Sequence, residues 1–188
     1  MLLLATGLLL WASTHLMVSM APAIRAGLVR KLGLLPYKGL FSLVLVGALA
    51  LMIIGWRAAP ATSAWLPPAG LRHLTMLLVP IAVVLFISAR APTDIRQVIR
   101  HPQLTGVKLW AIAHLLSNGE WRSLLLFGGL LAWAVLEVIF INRRDGARVK
   151  PPRMGPVKTA GSALVGLAVA ALLIFIHPWL AGIRILPA

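Results

Sequence analysis

Two histidines in apolar surroundings carry the clearest chemical signal in this sequence. Glycine, leucine, tryptophan, alanine, histidine and leucine recur in register in the stretches Gly7-LLL-Trp11-AST-His15-Leu16 and Gly106-VKL-Trp110-AIA-His114-Leu115. Glycine, tryptophan and histidine fall four residues apart, which lines them along one helix face. A single histidine buried in a membrane helix is ordinarily a hydrogen bond to its neighbour. Ionisable groups are rare there, however, and by default point to function. Here the histidine occurs twice with the same companions. Neutral imidazole is a ready metal ligand. Two of them on facing helices, with no carboxylate cluster nearby, suit a flat six-coordinate iron better than zinc or a di-iron site. The small residues Gly7, Ser13, Thr14, Gly106 and Ala113 leave room for a macrocycle, and would equally permit close helix packing without one. His15 and His114 are thus candidate iron ligands, and Trp11, Trp110, Gly7 and Gly106 candidate cofactor contacts.

The elements that position them are membrane helices. The chain is 60% hydrophobic with only 12% charged residues, and its apolar runs repeatedly approach the ~20 residues that cross a ~30 Å hydrocarbon layer. Six spans are expected in a single all-α integral membrane domain: 2–20, 39–57, 72–89, 102–117, 121–141 and 159–180. The fourth is short for a crossing and reads as a buried helix. Pro102 suits its first position, and Asn118-Gly119 its exit. Pro80 interrupts the third span and must leave a carbonyl to be satisfied by neighbours. The loop 57–71, with Pro60, Pro67, Pro68 and Gly70, and the loop 142–158, with Pro151, Pro152 and Pro156, break helices. Arg90 to Arg100 is a basic loop with room for a short interfacial helix. Ala21-Pro22-Ala23 resembles a signal-cleavage site, but the basic residues that follow argue for retention. With no cysteine, thiolate metal sites, thiol catalysis and disulfides are excluded. No side chain offers an evident nucleophile or general base, so any catalysis would fall to a cofactor.

The net charge of +14 does not mean nucleic acid. The loops after spans one, three and five carry four, three and six basic residues, the pattern of the positive-inside bias. Both termini are therefore expected outside the cytoplasm. Trp56, Trp65, Trp121 and Trp179 fall at the outer ends, as an interfacial belt would. Counting 13 or 14 residues from each helix entrance, about 20 Å of rise, brings His15 and His114 to a common mid-membrane depth from opposite sides. His73 and His177 lie at the outer ends and His101 at the cytoplasmic interface. Lys108 and Glu137 are expected on the cytoplasmic half at similar depth. They would pair with each other, or Glu137 would take an arginine from Arg143-Arg144 while Lys108 snorkels.

The run RHPQLTGVKLWAIAHLLSNG, followed by SLLLFGGLLAWAVLE, resembles the NnrU family of bacterial membrane proteins. YKGLFSLVLVGALALMIIGW and the His15, Pro22 and Arg25 pattern fit too, so the resemblance covers nearly the whole chain. It implies haem b between membrane helices, as in the related plant 15-cis-zeta-carotene isomerase, with His15 and His114 as axial ligands. It also implies a bacterial inner-membrane location and a link to denitrification through nitrite and nitric oxide. The plant enzyme has a cysteine at the position matching Ala111, so a redox switch of ligand does not carry over. The expected function is redox-linked or isomerase-like. The alternatives are a non-catalytic assembly partner of nitrogen-oxide reductases and a small transporter. The last is suggested by the inverted orientation of the two motif helices, a hint of three-plus-three repeats. The lipid bilayer and a redox or reductase partner are the expected contacts.

Overall fold

The computed structural model describes residues 1–183 and 185, and its regular secondary structure is helical apart from one isolated bridge, Ser63 to Glu120. Eight helices follow in order: α1 Leu2–Met20, α2 Pro22–Leu32, α3 Leu34–Ala58, α4 Leu71–Ser88, α5 Ile95–Val98, α6 Pro102–Ser117, α7 Trp121–Asp145 and α8 Pro156–Ala181. Five of them, α1, α3, α4, α7 and α8, are long and apolar enough to cross a membrane. The sixth expected span, α6, has 16 residues, a rise of about 24 Å. Apart from Gln103 and Ile112 its residues are buried or half-buried. Leu40, Leu43, Leu164, Leu172 and Phe175 are exposed on the long helices, as surfaces in contact with acyl chains must be. This is a multi-pass membrane protein.

Helix boundaries follow local chemistry. Pro22 opens α2, where its missing amide costs nothing. Gly33, at φ 84°, separates α2 from α3 in a conformation that only glycine adopts freely. This segment, expected as part of the first basic loop, is helical over Pro22–Leu32. It is a short basic helix with no buried residue, carrying Arg25, Arg30 and Lys31 beside exposed Ile24 and Leu32. That composition is suited to lying along an interface. The helix α3 consequently starts at Leu34, earlier than expected. Near its start α7 loosens into a π-helical turn over Leu124–Gly128, which includes the buried Phe127.

Two antiparallel pairs form the frame. Helix α1 runs along α3, with Leu4 against Gly55 and His15 against Phe41. Helix α6 runs along α4, where Thr75 Oγ1 donates to Ala113 O at 2.7 Å. Helix α7 packs on both α1 and α6 and so joins the pairs. Helix α8 packs along α4 and meets α3 only briefly, with Arg57 Nη2 donating to Trp179 O. The core gathers Leu4, Leu8, Met52, Trp56, Ala111 and Phe127.

Loops collect at two ends. At one, Ala64 N and Trp65 N donate to Gly119 O and Trp121 N to Thr62 O. At the other, the Asp94 carboxylate accepts from Met154 N and Gly155 N at 2.6 and 3.1 Å. Ser162 Oγ donates to Pro92 O and Gln97 Nε2 to Pro151 O. This second end holds the three strongly basic segments, so the sequence alternation of charge is a sorting of charge in space.

Candidate functional site

Gly7 and Gly106 occupy equivalent places. A Cβ on Gly7 would lie 2.7 Å from Ala48 O and 2.8 Å from Met52 N, with Leu51 beside it. One on Gly106 would lie 2.5 Å from Ala82 O and 3.0 Å from Phe86 N, with Leu85 beside it. Each glycine therefore lets its helix seat on a partner backbone at an alanine, with a leucine three residues on and an amide four residues on. On the side where a Cβ would project, the space these glycines leave is filled by α3 and α4.

The motif repeat is thus a repeat of helix pairs. α1 on α3 matches α6 on α4, and the motif helix comes first in one pair and last in the other. A three-plus-three inverted repeat would match α3 with α7 instead.

One and two turns beyond each glycine come the tryptophan and the histidine. His15 Nδ1 lies 3.0 Å from Trp11 O, and His114 Nδ1 lies 2.9 Å from Trp110 O. A carbonyl oxygen only accepts, so Nδ1 carries the proton in both rings and Nε2 keeps its lone pair. The Trp11 and His15 rings are 4.5 Å apart, the Trp110 and His114 rings 4.7 Å. Helix α7 supplies the opposing wall. Trp133 stands 5.0 Å from His15, and Phe127 stacks on His114 at 4.6 Å. The indole Nε1 atoms of Trp11 and Trp133 are buried without a hydrogen-bond partner among the described residues.

The two imidazoles do not share a level. Trp133 and Phe127 are six residues apart on α7, about 9 Å of rise. The expected common depth was counted from each entrance. In helices of 19 and 16 residues, thirteen steps overshoot the middle, and they do so in opposite directions. Trp11 and Trp110 mark the centre, His15 lies toward the basic end and His114 toward the other. His177 Nδ1 donates to Ile183 O at 2.8 Å. His101 is engaged elsewhere, its Nε2 2.8 Å from Asn142 Oδ1, where it ties the start of α6 to the end of α7. His73 is exposed. Among the described residues no three His, Cys, Asp or Glu side chains gather as a bare-ion site.

Axial ligation of haem asks less than a bare-ion site: an imidazole with a fixed tautomer, a free Nε2 and apolar surroundings. His15 and His114 each meet that donor requirement. The unpartnered indole donors beside His15 add polar contacts that a bound group could use.

A family model described as NnrU protein matches residues 3–185. The chain belongs to the NnrU family. No curated protein and no solved structure gives a significant match. The family match spans both histidine motifs and every membrane helix of this NnrU protein.

Three features near the site escaped the sequence reading. Phe127 and Trp133 were not singled out, although Trp11, Trp110 and Trp133 are the tryptophans that fall mid-span, where an interfacial belt does not explain them. Trp56 was assigned to that belt. It is buried instead, 6.0 Å from Phe127 and with the Arg122 guanidinium 4.5 Å over its ring. The buried Glu137 carboxylate is held by Ser19 Oγ at 3.1 Å, one turn from the contact of His15 with Trp133. The expected ion pairs of Glu137 are not formed. Lys108 makes none among the described residues, and Arg144 pairs with Asp145 at 2.7 Å. Lys108 is two residues from both Gly106 and Trp110, so it projects from the side of α6 away from their face.

Proposed function

We propose that this NnrU-family protein binds haem b within the bundle, with Nε2 of His15 and Nε2 of His114 as the candidate iron donors. Because the two rings stand at different levels, both reach one iron only if α1 and α6 shift along α7. The protein's role would be redox-linked or isomerase-like, in a bacterial inner membrane, beside nitrite and nitric oxide metabolism. One observation carries the reading: two imidazoles in the same register each give Nδ1–H to the carbonyl one turn back and keep Nε2 free. Such a backbone bond fixes the ring and its tautomer, as the outer partners of metal-binding histidines do. When bound, haem supplies one-electron chemistry at iron, which no side chain here can provide. The chain's own share is to hold the rings, exclude water with Trp11, Trp110, Phe127 and Trp133, and present indole N–H donors near His15. The tie to nitrogen oxides rests on the family resemblance alone, as does a reductase or redox partner.

The absorption spectrum of protein purified from haem-replete cells tests this. The expected outcome is a low-spin b-type spectrum. His15→Ala and His114→Ala should each give high-spin or lost haem, while His73→Ala leaves the spectrum unchanged. A change in only one of the first two variants would mark a single-histidine ligand. Haem-free protein would sink the proposal. Turnover of a nitrogen-oxide or isoprenoid substrate by the loaded protein separates an enzyme from an assembly partner.

A further inference from the structure

The basic end of the bundle contains a cavity of about 410 Å³ whose walls include Arg96, Arg100, Arg148, His101 and Asp145. Two of its arginines are tied to backbone carbonyls. Arg100 Nη2 donates to Gly146 O at 2.9 Å, so the segment after α5 is tied to the loop that follows α7. Arg148 returns the tie, donating to Val98 O at 2.9 Å and to Arg96 O. All these acceptors are neutral carbonyls. Arg96 Nε is buried with no partner among the described residues.

The chain has only four acidic residues against 18 Lys and Arg, and all four are accounted for. Asp94 is spent on the amides of Met154 and Gly155. Glu137 is held by Ser19, and Glu120 pairs with Arg122 at the opposite end. Asp145, which lines the cavity, gives both oxygens to Arg144. Among the described residues no carboxylate forms an ion pair with Arg96, Arg100 or Arg148, although Arg144, helped by the charges of Arg100 and His101, holds the Asp145 carboxyl below its usual range. Three arginines thus line one concave site beside a single carboxylate already engaged by Arg144, and one of them has an unmet buried donor.

We propose that this cavity binds a phosphoryl group, held by Arg96, Arg100 and Arg148. Guanidinium forks match phosphate oxygens in charge and geometry. Basic pockets between membrane helices at this level are suited to lipid headgroups. The phosphoryl group belongs either to an acidic phospholipid or to a free phosphate in solution.

The test uses the full chain in an uncharged maltoside detergent and in nanodiscs. Inorganic phosphate is titrated in detergent at constant ionic strength. Phosphatidylglycerol is titrated in nanodiscs against phosphatidylcholine alone. Binding is read as a rise in thermal midpoint and, for lipid, as mass retained in native mass spectrometry. A response to phosphatidylglycerol alone assigns the site to lipid, and a response to phosphate shows that a soluble ligand suffices. Arg96→Gln should weaken binding about tenfold, the loss expected for one charge-assisted hydrogen bond. Its unliganded midpoint and circular dichroism should be unchanged. Arg148→Lys keeps the charge without the fork and should weaken binding too, which keeps the test alive if Arg96→Gln misfolds. Arg30→Gln, on α2 at the same end but outside the cavity, should bind as the wild type does. The proposal fails if neither probe raises the midpoint above chloride or phosphatidylcholine. It also fails if Arg30→Gln loses as much as Arg96→Gln, because a diffuse field would then explain the binding.

Discussion

At the scale of single residues, the decisive groups are polar atoms inside an apolar bundle, and their partners decide what each can do. His15 and His114 satisfy Nδ1 on their own helices, so neither depends on a neighbouring helix and Nε2 is left for chemistry. Glu137 takes the opposite course, relying on Ser19 of α1. Ser19→Ala should therefore strip a buried carboxyl of its donor and lower stability by about 1 kcal/mol, as for other hydrogen bonds between membrane helices. Lys108→Met should be close to neutral. In a thermal double-mutant cycle, Lys108→Met and Glu137→Gln should add, whereas Ser19→Ala and Glu137→Gln should not. Strong coupling between Lys108 and Glu137 would contradict the geometry. The sequence made the two charges look like partners because they share a half of the membrane. Helical angle then separated them, and Ser19 is too ordinary a residue to stand out unaided.

At the scale of elements, two glycines set the architecture. Gly7 and Gly106 are the points where α1 meets α3 and α6 meets α4, each with backbone inside van der Waals reach of a Cβ. Gly7→Val and Gly106→Val should each destabilise by about 1–3 kcal/mol or more, because helix backbones cannot yield as a flexible side chain does. Gly47→Ala, on α3 in open space, should be neutral or slightly stabilising, since alanine is the better helix former. Thermal midpoints in detergent compare the three directly. Most of this level was legible. Apolar runs located the spans, proline and glycine located the breaks, and the short α6 was recognised as buried. Helix α2 was missed because eleven residues of mixed polarity show no spanning run. The histidine levels were missed because rise was counted from the entrances and not from the helix centres. A repeated Gly-Trp-His spacing reveals a shared face but not which neighbour fills it. The glycines turned out to meet helices, and the histidines to meet α7.

At the scale of the whole molecule, the two ends differ in charge far more than in shape. One end gathers the segments with four, three and six basic residues, and the other holds Arg57, Arg72 and Arg122. Structure and sequence agree on which loops lie together. His101 meets Asn142, Arg100 meets Gly146 and Asp94 meets Met154 at one end. At the other, Gly119 meets Trp65 and Arg57 meets Trp179. That pairing fixes the relative direction of every span but not which end faces the cytoplasm. Orientation follows from the retention of Lys- and Arg-rich short loops on the cytoplasmic side. The expected outcome is that the basic end is cytoplasmic and both termini lie outside. A reporter active only in the cytoplasm should be silent when fused after Ala188 and active when inserted in the loop at Arg153. The reverse pattern would mean either that α6, with its 16 residues, does not cross, or that the whole bundle is inverted, with the proposed phosphoryl cavity on the outer side and His114, not His15, toward the cytoplasm. Activity at both positions would mean that α8 does not cross.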